Sequence, residues 1–287
     1  MTTEEWLEAL PGRIERCVAL WELVLGEPLA GGSIGRVFGC TGPRGEDLVL
    51  KVSPPIAEAR TEARALDHWG GLGAARLVAF DVAANALLLE RIRPGWQLLE
   101  QDRSKELLSD ERAVEAAAGV LQGLQSPPPP HAGAFPTFDE KLDWWLNWTA
   151  AYGEPGTAGT RMLPLMERCA RALDRSATRR VLAHGDFVAK NLLYAEHGSY
   201  VAVDPLPYLG DPAADIGHFS AYHSPVETVI PRARAIAKRS GNDPDRAARW
   251  AAVWMVGEAC ETWREDSDDV QTWVQGTECL RLLAECD

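Results

Sequence analysis

Short apolar stretches separated by turn residues dominate the N-terminal third of the chain. Ile34–Cys40 and Leu48–Val52 are predicted strands, and the Gly-Pro pair within Thr41–Gly45 indicates a hairpin turn between them. Two further strands are predicted at Arg76–Phe80 and Ala86–Arg91. The pattern is typical of a small β-sheet.

One helix interrupts these strands. Apolar residues recur near helical spacing through Ile56–Trp69, directly after Pro54 and Pro55, and this recurrence predicts a helix. The predicted order in this part of the chain is strand, strand, strand, helix, strand, strand, so it includes one strand before the helix for which no bounds are assigned.

From about Gln97 onward the hydrophobic periodicity is mostly helical. A β-type insert at Val181–Tyr194 and Tyr200–Val203 lies among the helices. A sheet-rich first third followed by a helical remainder predicts an α+β protein of two unequal lobes. The helices are predicted at Asp110–Gln125, Asp139–Ala151, Thr160–Thr178, Pro225–Ser240, Asp243–Glu265 and Ser267–Ala284.

The chain is acidic but otherwise has an ordinary globular composition. Its 287 residues include 29 Lys+Arg and 42 Asp+Glu, which gives a formal net charge of -13, and 46% of them are hydrophobic. Because nucleic-acid binding requires clustered Lys and Arg, we expect no nucleic-acid partner. The acidity is compatible with a cationic small substrate, although solubility alone is the simpler explanation.

The sequence predicts a cytoplasmic protein with no membrane partner. Its acidic start does not resemble a signal peptide, and apolar runs such as Val82–Leu89 and Trp250–Gly257 are too short to span a bilayer. The six cysteines are scattered without a C-x-x-C pair, and we expect all of them to be reduced packing residues. They are Cys17, Cys40, Cys169, Cys260, Cys279 and Cys286.

A glycine-rich segment begins at Ala30. In its sequence A-G-G-S-I-G-R-V, Gly32 and Gly35 fit the pattern G-x-G-x-x-G-x-V, while Ala30 stands at the first glycine position. Glycines there allow backbone amides to approach a triphosphate. On its own, a plain hairpin turn explains the pattern better, because 25 glycines make chance matches easy.

Lys51 ends the next predicted strand. A lysine in this position usually extends to solvent. Here it also lies where it could reach phosphates that the glycine-rich segment covers. The following helix offers Glu58 and Glu62 as ion-pair partners, and Glu62, in the middle of the helix, is the preferred one.

A second motif, H-G-D-F-V-A-K-N, spans 184–191 and matches the phosphotransferase pattern H-x-D-x-x-x-x-N. The Asp186 carboxylate can orient or accept the proton of an attacking hydroxyl. The Asn191 amide oxygen is a hard ligand that suits Mg²⁺. Without further motifs, a polar turn capped by these two residues would be the better explanation.

Three more aspartates follow. Asp204 ends the apolar strand Val201–Val203, so a second oxygen ligand is expected beside Asn191 at the base of a hairpin. Asp211 and Pro212 suit a helix start, so Asp211 could serve only as a helix cap. Asp215 is a candidate buried acceptor for the amides of the 184–191 motif.

Taken in order, these residues resemble the aminoglycoside phosphotransferase branch of the protein-kinase-like fold. The His-Gly-Asp sequence at 184–186 stands in place of His-Arg-Asp, which is similar to antibiotic kinases rather than to protein kinases. Glu62–Trp69 and Ala86–Gly95 resemble the streptomycin 6-phosphotransferase and hydroxyurea phosphotransferase subgroup. The resemblance covers roughly Leu29–Phe219.

The resemblance implies a bilobal fold, with a nucleotide-binding lobe at 1–92 and a catalytic and substrate-binding lobe at 93–287. It implies ATP and Mg²⁺ as cofactors, Asp186 as the catalytic residue, and Asn191 and Asp204 as Mg²⁺ ligands. The implied ATP contacts are Gly32, Ser33, Gly35, Lys51, Glu62 and the hinge residues Glu90 and Ile92.

The chain departs from the family pattern at three positions. Val188 stands where the family usually has His, Lys190 before the Asn is unusual, and Ala30 weakens the glycine-rich segment. A solvated charge is the simpler explanation of Lys190, and a position near phosphates is the alternative. Since the Lys-Asp-Asn-Asp set is intact, we expect a working enzyme.

Aromatic and acidic residues in the second lobe are candidates for substrate recognition. A polycationic sugar would suit a cleft with carboxylates and an aromatic wall. Core packing of the tryptophans and a solvated acidic face are the simpler explanation. The tryptophans are Trp144, Trp145, Trp148, Trp254 and Trp263, and the acidic candidates are Glu258 and Glu261, on one helical face with Glu265, together with Asp211.

We therefore expect an ATP- and Mg²⁺-dependent kinase that phosphorylates a hydroxyl of a streptomycin-class aminoglycoside and confers antibiotic resistance. A hydroxyurea kinase or a metabolic kinase of the same fold is the same-class alternative. A non-catalytic nucleotide-binding module is the alternative of another class, motivated by Val188, Lys190 and Ala30.

Overall fold

The computed structural model describes residues 3–29, 35–54, 59–98, 110–152, 155–260 and 267–286. Its N-terminal part is built on a five-stranded antiparallel sheet in the order β1-β2-β3-β5-β4. Two helices, α1 and α2, accompany this sheet. The elements are α1 (Thr3–Trp21), β1 (Val24–Pro28), β2 (Arg36–Thr41), β3 (Asp47–Val52), α2 (Ala59–Trp69), β4 (Leu77–Asp81) and β5 (Ala86–Glu90).

The side chains of the central strand β3 alternate between the two faces of the sheet. Leu48, Leu50 and Val52 are buried in a small core shared with α1 and β5. Because successive side chains of a strand point to opposite faces, Val49 and Lys51 face the other side of the sheet. The apolar pattern of β3 therefore directs Lys51 toward α2 and away from α1.

The C-terminal part is mostly helical and carries two small sheets, β6-β8-β9 and β10-β7. Its main core is formed around α8, which packs against α5, α6 and α7. The strands are β6 (Pro94–Gln97), β7 (Val181–Ala183), β8 (Leu192–Ala195), β9 (Tyr200–Ala202) and β10 (Tyr208–Gly210). The helices are α3 (Asp110–Leu124), α4 (Phe138–Tyr152), α5 (Ala158–Arg175), α6 (Ala213–Ala221), α7 (Val226–Ser240), α8 (Pro244–Glu258), α9 (Ser267–Val274) and α10 (Thr277–Ala284).

The predicted α+β architecture is confirmed, but several element boundaries were wrong. The helix predicted at Ser267–Ala284 is two helices, because the chain turns at Gly276. The β-type insert at Val181–Tyr194 is two short strands joined by the 184–191 motif. Strands β6 and β10 were missed, since three or four residues are too few to establish an alternating pattern.

The expectation that every cysteine is reduced was wrong for two of the six. Cys169 on α5 and Cys286 after α10 form a disulfide although 117 residues separate them. Their spacing gave no signal, because the packing of α10 against α5 brings them together. Cys17, Cys40, Cys260 and Cys279 are buried and form no disulfide within the described ranges, as expected.

None of the described helices is long and apolar enough to cross a membrane.

The main core provides a stability prediction. Leu121 on α3 is fully buried, whereas Leu20 on α1 is 53% exposed. We expect Leu121→Ala to lower the free energy of unfolding by about 2–5 kcal/mol, because it leaves a cavity in the core. The matched Leu20→Ala variant should change it by less than about 0.5 kcal/mol. Urea unfolding measures both, and equal effects would contradict the assignment of α3 to the core.

Candidate active site

A cavity of about 370 Å³ lies where the five-stranded sheet faces the helical part. The sheet side contributes Gly35, Lys51 and Ser53, and α2 contributes Glu62. The opposite wall contains residues of the 184–191 motif and of the segment after β9, namely Gly185, Asp186, Lys190, Asp204, Pro205 and Leu206. The polar residues that the sequence singled out on both sides therefore meet at one place.

Lys51 is the point at which three elements meet. Its Nζ lies 2.8 Å from both carboxylate oxygens of Glu62 and also contacts the Asp204 carboxylate. The side chains of Lys51 and Glu62 are only 12% and 8% exposed, whereas Asp204 is 47% exposed. The ion pair that the sequence predicts between Lys51 and Glu62 is thus present, and it is shielded from water.

The two carboxylates fix the charge of Lys51. Burial by itself lowers the pKa of this ammonium, but Glu62 and Asp204 outweigh burial and raise the pKa above its ordinary value. For Asp204, burial raises the carboxyl pKa, and the Lys51 ammonium more than compensates, so this pKa is lowered. The cluster therefore holds a cation and an anion side by side at the cavity wall.

Asp186 and Asn191 are held together within the 184–191 motif. The Asn191 amide nitrogen donates to the Asp186 carboxylate at 2.8 Å and to the Asp186 carbonyl at 2.9 Å. Asn191 is buried, while Asp186 is only partly buried and lines the cavity. The carboxylate of Asp186 is thus oriented from behind and faces the cavity.

A buried carboxylate fixes the start of this motif, as the sequence predicts for Asp215. Its two oxygens accept from the backbone amides of His184 at 2.7 Å and Gly185 at 3.0 Å. Gly185 has a φ of 79°, and an added Cβ would lie 2.0 Å from the Leu206 carbonyl oxygen. Only glycine allows this close approach of two backbone segments.

The His184 side chain packs inward and links the motif to the hairpin. Its ring is fully buried and stacks on the Trp69 ring, with 6.2 Å between the ring centroids. The Nε2 atom lies 3.1 Å from the Val203 carbonyl oxygen. Burial lowers the pKa of His184 to about 4 and raises the pKa of Asp215 to about 6. At neutral pH the histidine is therefore neutral and the Asp215 carboxyl is mostly ionised.

The β8–β9 hairpin places Asn191 beside Asp204. Leu192 pairs with Ala202, and the Val203 amide donates to the Asn191 carbonyl at 2.9 Å. Asp204 follows with a φ of 62°, a left-handed conformation that is uncommon for a residue with a side chain and that recurs at functional sites. In the described ranges no three His, Cys, Asp or Glu side chains group as a metal site. An amide and a carboxylate are thus the pair available to an oxygen-binding cation.

Another part of the cavity lining is an aromatic wall. Trp144 and Trp145 contribute from α4, and Trp250 and Trp254 contribute from α8. Trp144 is 60% exposed although it is a large aromatic residue, whereas Trp250 is fully buried. Phe138, Tyr208, Leu142, Met166 and Val253 complete the apolar lining, with Lys141 beside them.

Several candidate residues lie elsewhere. The expectation that Asp211 binds the substrate is corrected, because its side chain is buried. It is 1% exposed, accepts a hydrogen bond from the Trp250 indole at 2.6 Å and pairs with Arg246. Its Oδ1 also accepts from the Ala213 amide at the start of α6, which matches the alternative helix-start role. Asp211 therefore supports the fold behind the aromatic wall and does not face the cavity.

The remaining candidates that the structure describes, Glu258, Glu90 and Ile92, are not among the residues that line the cavity. Glu258 ends α8 and accepts from the His223 amide at 3.4 Å. Glu90 ends β5 with its side chain bonded to the Arg76 amide, and Ile92 follows in the connection to β6. Ala30, Gly32, Ser33, Glu58 and Glu261, with Trp263 and Glu265, lie outside the described residues.

Comparison with known protein families identifies the family of this chain. The model of a family described as "Aminoglycoside/hydroxyurea antibiotic resistance kinase" matches residues 21–267. The chain belongs to this family. It is therefore a kinase, a phosphotransferase that acts on hydroxyl groups.

Individual members of this kinase family are moderately similar to the chain. A streptomycin 6-kinase of Streptomyces glaucescens is 29% identical over 273 residues, which cover 88% of this chain and 85% of the relative. A hydroxyurea phosphotransferase of Kitasatospora aureofaciens is 31% identical over 74% of this chain, although the match spans only 61% of that relative.

Solved structures confirm the protein-kinase-like fold of the kinase. A choline/ethanolamine kinase family protein from Mesorhizobium loti superposes with a TM-score of 0.63 at 15% identity, covering 96% of this chain and 98% of that chain. A ternary complex of streptomycin, ATP and APH(2″)-IIa gives a TM-score of 0.55 at 15% identity, covering 95% and 96%.

Sequence reasoning missed part of the kinase's cavity wall. Ser53 directly after β3 and Tyr208 on β10 line the cavity, and both are buried. Trp250 was noticed only within an apolar run. No local signal distinguishes these residues from core residues, because the cavity beside them is lined by elements that lie far apart in the chain, including α4, α8 and β10.

The low pKa of His184 predicts a pH-dependent stability. Unfolded His titrates near pH 6.5, whereas folded His184 resists protonation until about pH 4. The unfolded state therefore binds more protons in this window, and the contribution of His184 weakens the fold as pH falls from about 6.5 to 4. Asp215 has the opposite effect. Because burial raises its pKa in the folded state to about 6, the folded state binds more protons below that pH, and the contribution of Asp215 strengthens the fold as pH falls.

We expect the loss of unfolding free energy between pH 7 and pH 4.5 to shrink by up to about 3 kcal/mol in His184→Gln, since each pKa unit is about 1.4 kcal/mol. The Gln amide can still donate to the Val203 carbonyl oxygen. Urea unfolding of both proteins at the two pH values measures the difference, in which the Asp215 contribution cancels. An unchanged pH dependence in the variant would contradict the buried neutral histidine.

Proposed function

We propose that this chain is an ATP- and Mg²⁺-dependent kinase that phosphorylates a hydroxyl of a streptomycin-class aminoglycoside. The observation that carries the proposal is the convergence of Lys51, Asp186 and Asp204 on one cavity, from parts of the chain that lie far apart in sequence, with Asn191 bonded to Asp186 behind the cavity wall. Family membership supplies the reaction class, and the cavity supplies the positions of the groups.

Asp186 is the residue proposed to act on the acceptor. Its carboxylate is held by Asn191 and faces the cavity, where it would orient the acceptor hydroxyl and take its proton. The hydroxyl oxygen forms a bond to the γ-phosphorus while the bond from that phosphorus to the β,γ-bridging oxygen breaks. ADP leaves with the electron pair, and the product is a phosphate ester.

Lys51 and the amides near Gly35 are proposed to position the triphosphate. Lys51 is held by Glu62, so its ammonium is fixed before nucleotide binds and loses little freedom on binding. Positioning of this kind, combined with electrostatic stabilisation, provides most of the catalysis in phosphoryl transfer.

Asn191 and Asp204 are proposed to hold Mg²⁺. The Asn191 amide nitrogen is used by Asp186, so its oxygen is the atom suited to a hard cation, and the Asp204 carboxylate is half exposed beside it. Two protein oxygens fit a metal that takes its other ligands from phosphates and water. When bound, Mg²⁺ would neutralise the charge of the β- and γ-phosphates.

The aromatic wall and the relatives support a streptomycin-class acceptor. Two streptomycin 6-kinases, of Streptomyces glaucescens and Streptomyces griseus, are each 29% identical to the chain. An exposed tryptophan such as Trp144 can stack on a planar cation. The hydroxyurea phosphotransferase, at 31% identity, keeps hydroxyurea as the second candidate acceptor.

A coupled ADP-release assay over a panel of aminoglycosides and hydroxyurea tests the proposal. We expect turnover with streptomycin, and we expect Asp186→Asn to reduce kcat at least ~100-fold while nucleotide affinity stays within about threefold, since the residue acts on the acceptor proton. Asp245→Asn, on the exposed start of α8, is the matched control. Turnover with hydroxyurea alone would transfer the assignment to the second candidate, and full activity of Asp186→Asn would refute the proposed base.

The metal assignment has a separate test. Asp204→Asn removes one of two proposed Mg²⁺ ligands, so we expect the Mg²⁺ concentration for half-maximal activity to rise at least ~10-fold. Binding of metal-free ATP should change much less than binding of Mg-ATP when both are measured by isothermal titration calorimetry. An unaltered Mg²⁺ requirement would rule out Asp204 as a ligand.

A further inference from the structure

Lys190 occupies a fixed position at the cavity that the proposed mechanism does not yet use. It is the middle residue of a single 3-10 turn, Ala189–Asn191, which is closed by hydrogen bonds from the Asn191 amide to Val188 and from the Leu192 amide to Ala189. Asn191 faces inward and binds Asp186, whereas Lys190 lines the cavity together with Asp186 and Asp204. The turn therefore sets an ammonium beside the proposed catalytic carboxylate.

The contact that holds this ammonium does not neutralise it. Its Nζ lies 5.4 Å from the centre of the Tyr222 ring, at the end of α6, in a cation–π arrangement. In the described ranges Lys190 forms no ion pair with a carboxylate, whereas Lys51 pairs with both Glu62 and Asp204. Among the described residues, Lys190 is thus held by an aromatic ring rather than by an ion pair with a carboxylate.

A cation at this place is available to bind an anionic group that enters the cavity. A cationic acceptor would be repelled by it, so the acceptor is not the partner. The nucleotide phosphates carry the opposite charge, and the group that must lie beside Asp186 during transfer is the γ-phosphoryl group.

We propose that Lys190 binds the γ-phosphoryl group of ATP and stabilises its charge during transfer, as a second cation on the side of the cavity opposite Lys51. This inference rests on the proposed kinase function but not on the identity of the acceptor. It assigns a catalytic role to a residue that departs from the family pattern. The ring of Tyr222 acts as the support that positions the ammonium.

Nucleotide binding without acceptor tests this role. In Lys190→Met we expect the affinity for Mg-ATP, measured by isothermal titration calorimetry, to fall at least ~10-fold, because a charged hydrogen bond to the γ-phosphate is lost. The affinity for Mg-ADP, which lacks that phosphate, should stay within about twofold. Lys190→Arg should retain most of the ATP preference, and Lys238→Met, an exposed lysine on α7, should match the wild type.

Steady-state kinetics with the active acceptor give the second readout. We expect kcat to fall at least ~100-fold in Lys190→Met with the acceptor KM nearly unchanged, because stabilisation of developing charge is lost. A purely structural role predicts instead a lower melting temperature and equal losses for ATP and ADP. Equal losses, or no loss, would overturn the proposal, and Lys190→Gln decides if Lys190→Met does not fold.

The two proposals fail in different ways. If wild-type protein binds ATP more tightly than ADP but phosphorylates none of the alcohols in the panel, the acceptor assignment fails while the Lys190 role is still decided by binding. If the wild type shows no preference for ATP over ADP, the γ-phosphate contact is refuted directly, whatever acceptor is turned over.

Discussion

The ion-pair cluster of Lys51, Glu62 and Asp204 joins three elements that are far apart in the chain. Lys51 comes from β3, Glu62 from α2, and Asp204 from the segment after β9. Because Lys51 and Glu62 are shielded from water, removal of either partner leaves a charge that is poorly solvated. The cluster therefore ties the sheet to the helical part at the point where the cavity opens.

A second buried carboxylate orders the other wall of the cavity. Asp215 accepts two backbone amides of the 184–191 motif, and Gly185 allows that motif to approach the chain after Asp204. With the motif fixed in this way, Asp186 and Lys190 project from neighbouring positions toward the same space. The bonds of Asp215 and the close approach at Gly185 thus determine where Asp186 and Lys190 lie.

The distribution of charge and aromatic surface divides the cavity in two. Cations and carboxylates concentrate where the sheet faces the 184–191 motif, while α4 and α8 supply tryptophans and apolar side chains. Under the proposed function, a triphosphate would occupy the first region and a larger organic acceptor the second. The acidity of the whole chain, with its formal net charge of -13, does not carry over into an acidic wall among the described lining residues.

The sequence by itself determined the fold class, most strands and helices, and the Lys51–Glu62 pair. It also placed Asp186 and Asn191 in one short motif and identified Asp215 as a candidate acceptor for the amides of that motif. The elements follow from period-two and helical patterns, whereas the candidate residues follow from short motifs and from their order along the chain. Only the tertiary structure decided that Asp211 lies behind the aromatic wall, that Cys169 and Cys286 are joined, and that Lys190 rests on Tyr222. Each of these depends on the packing of helices distant in sequence, which local periodicity does not encode.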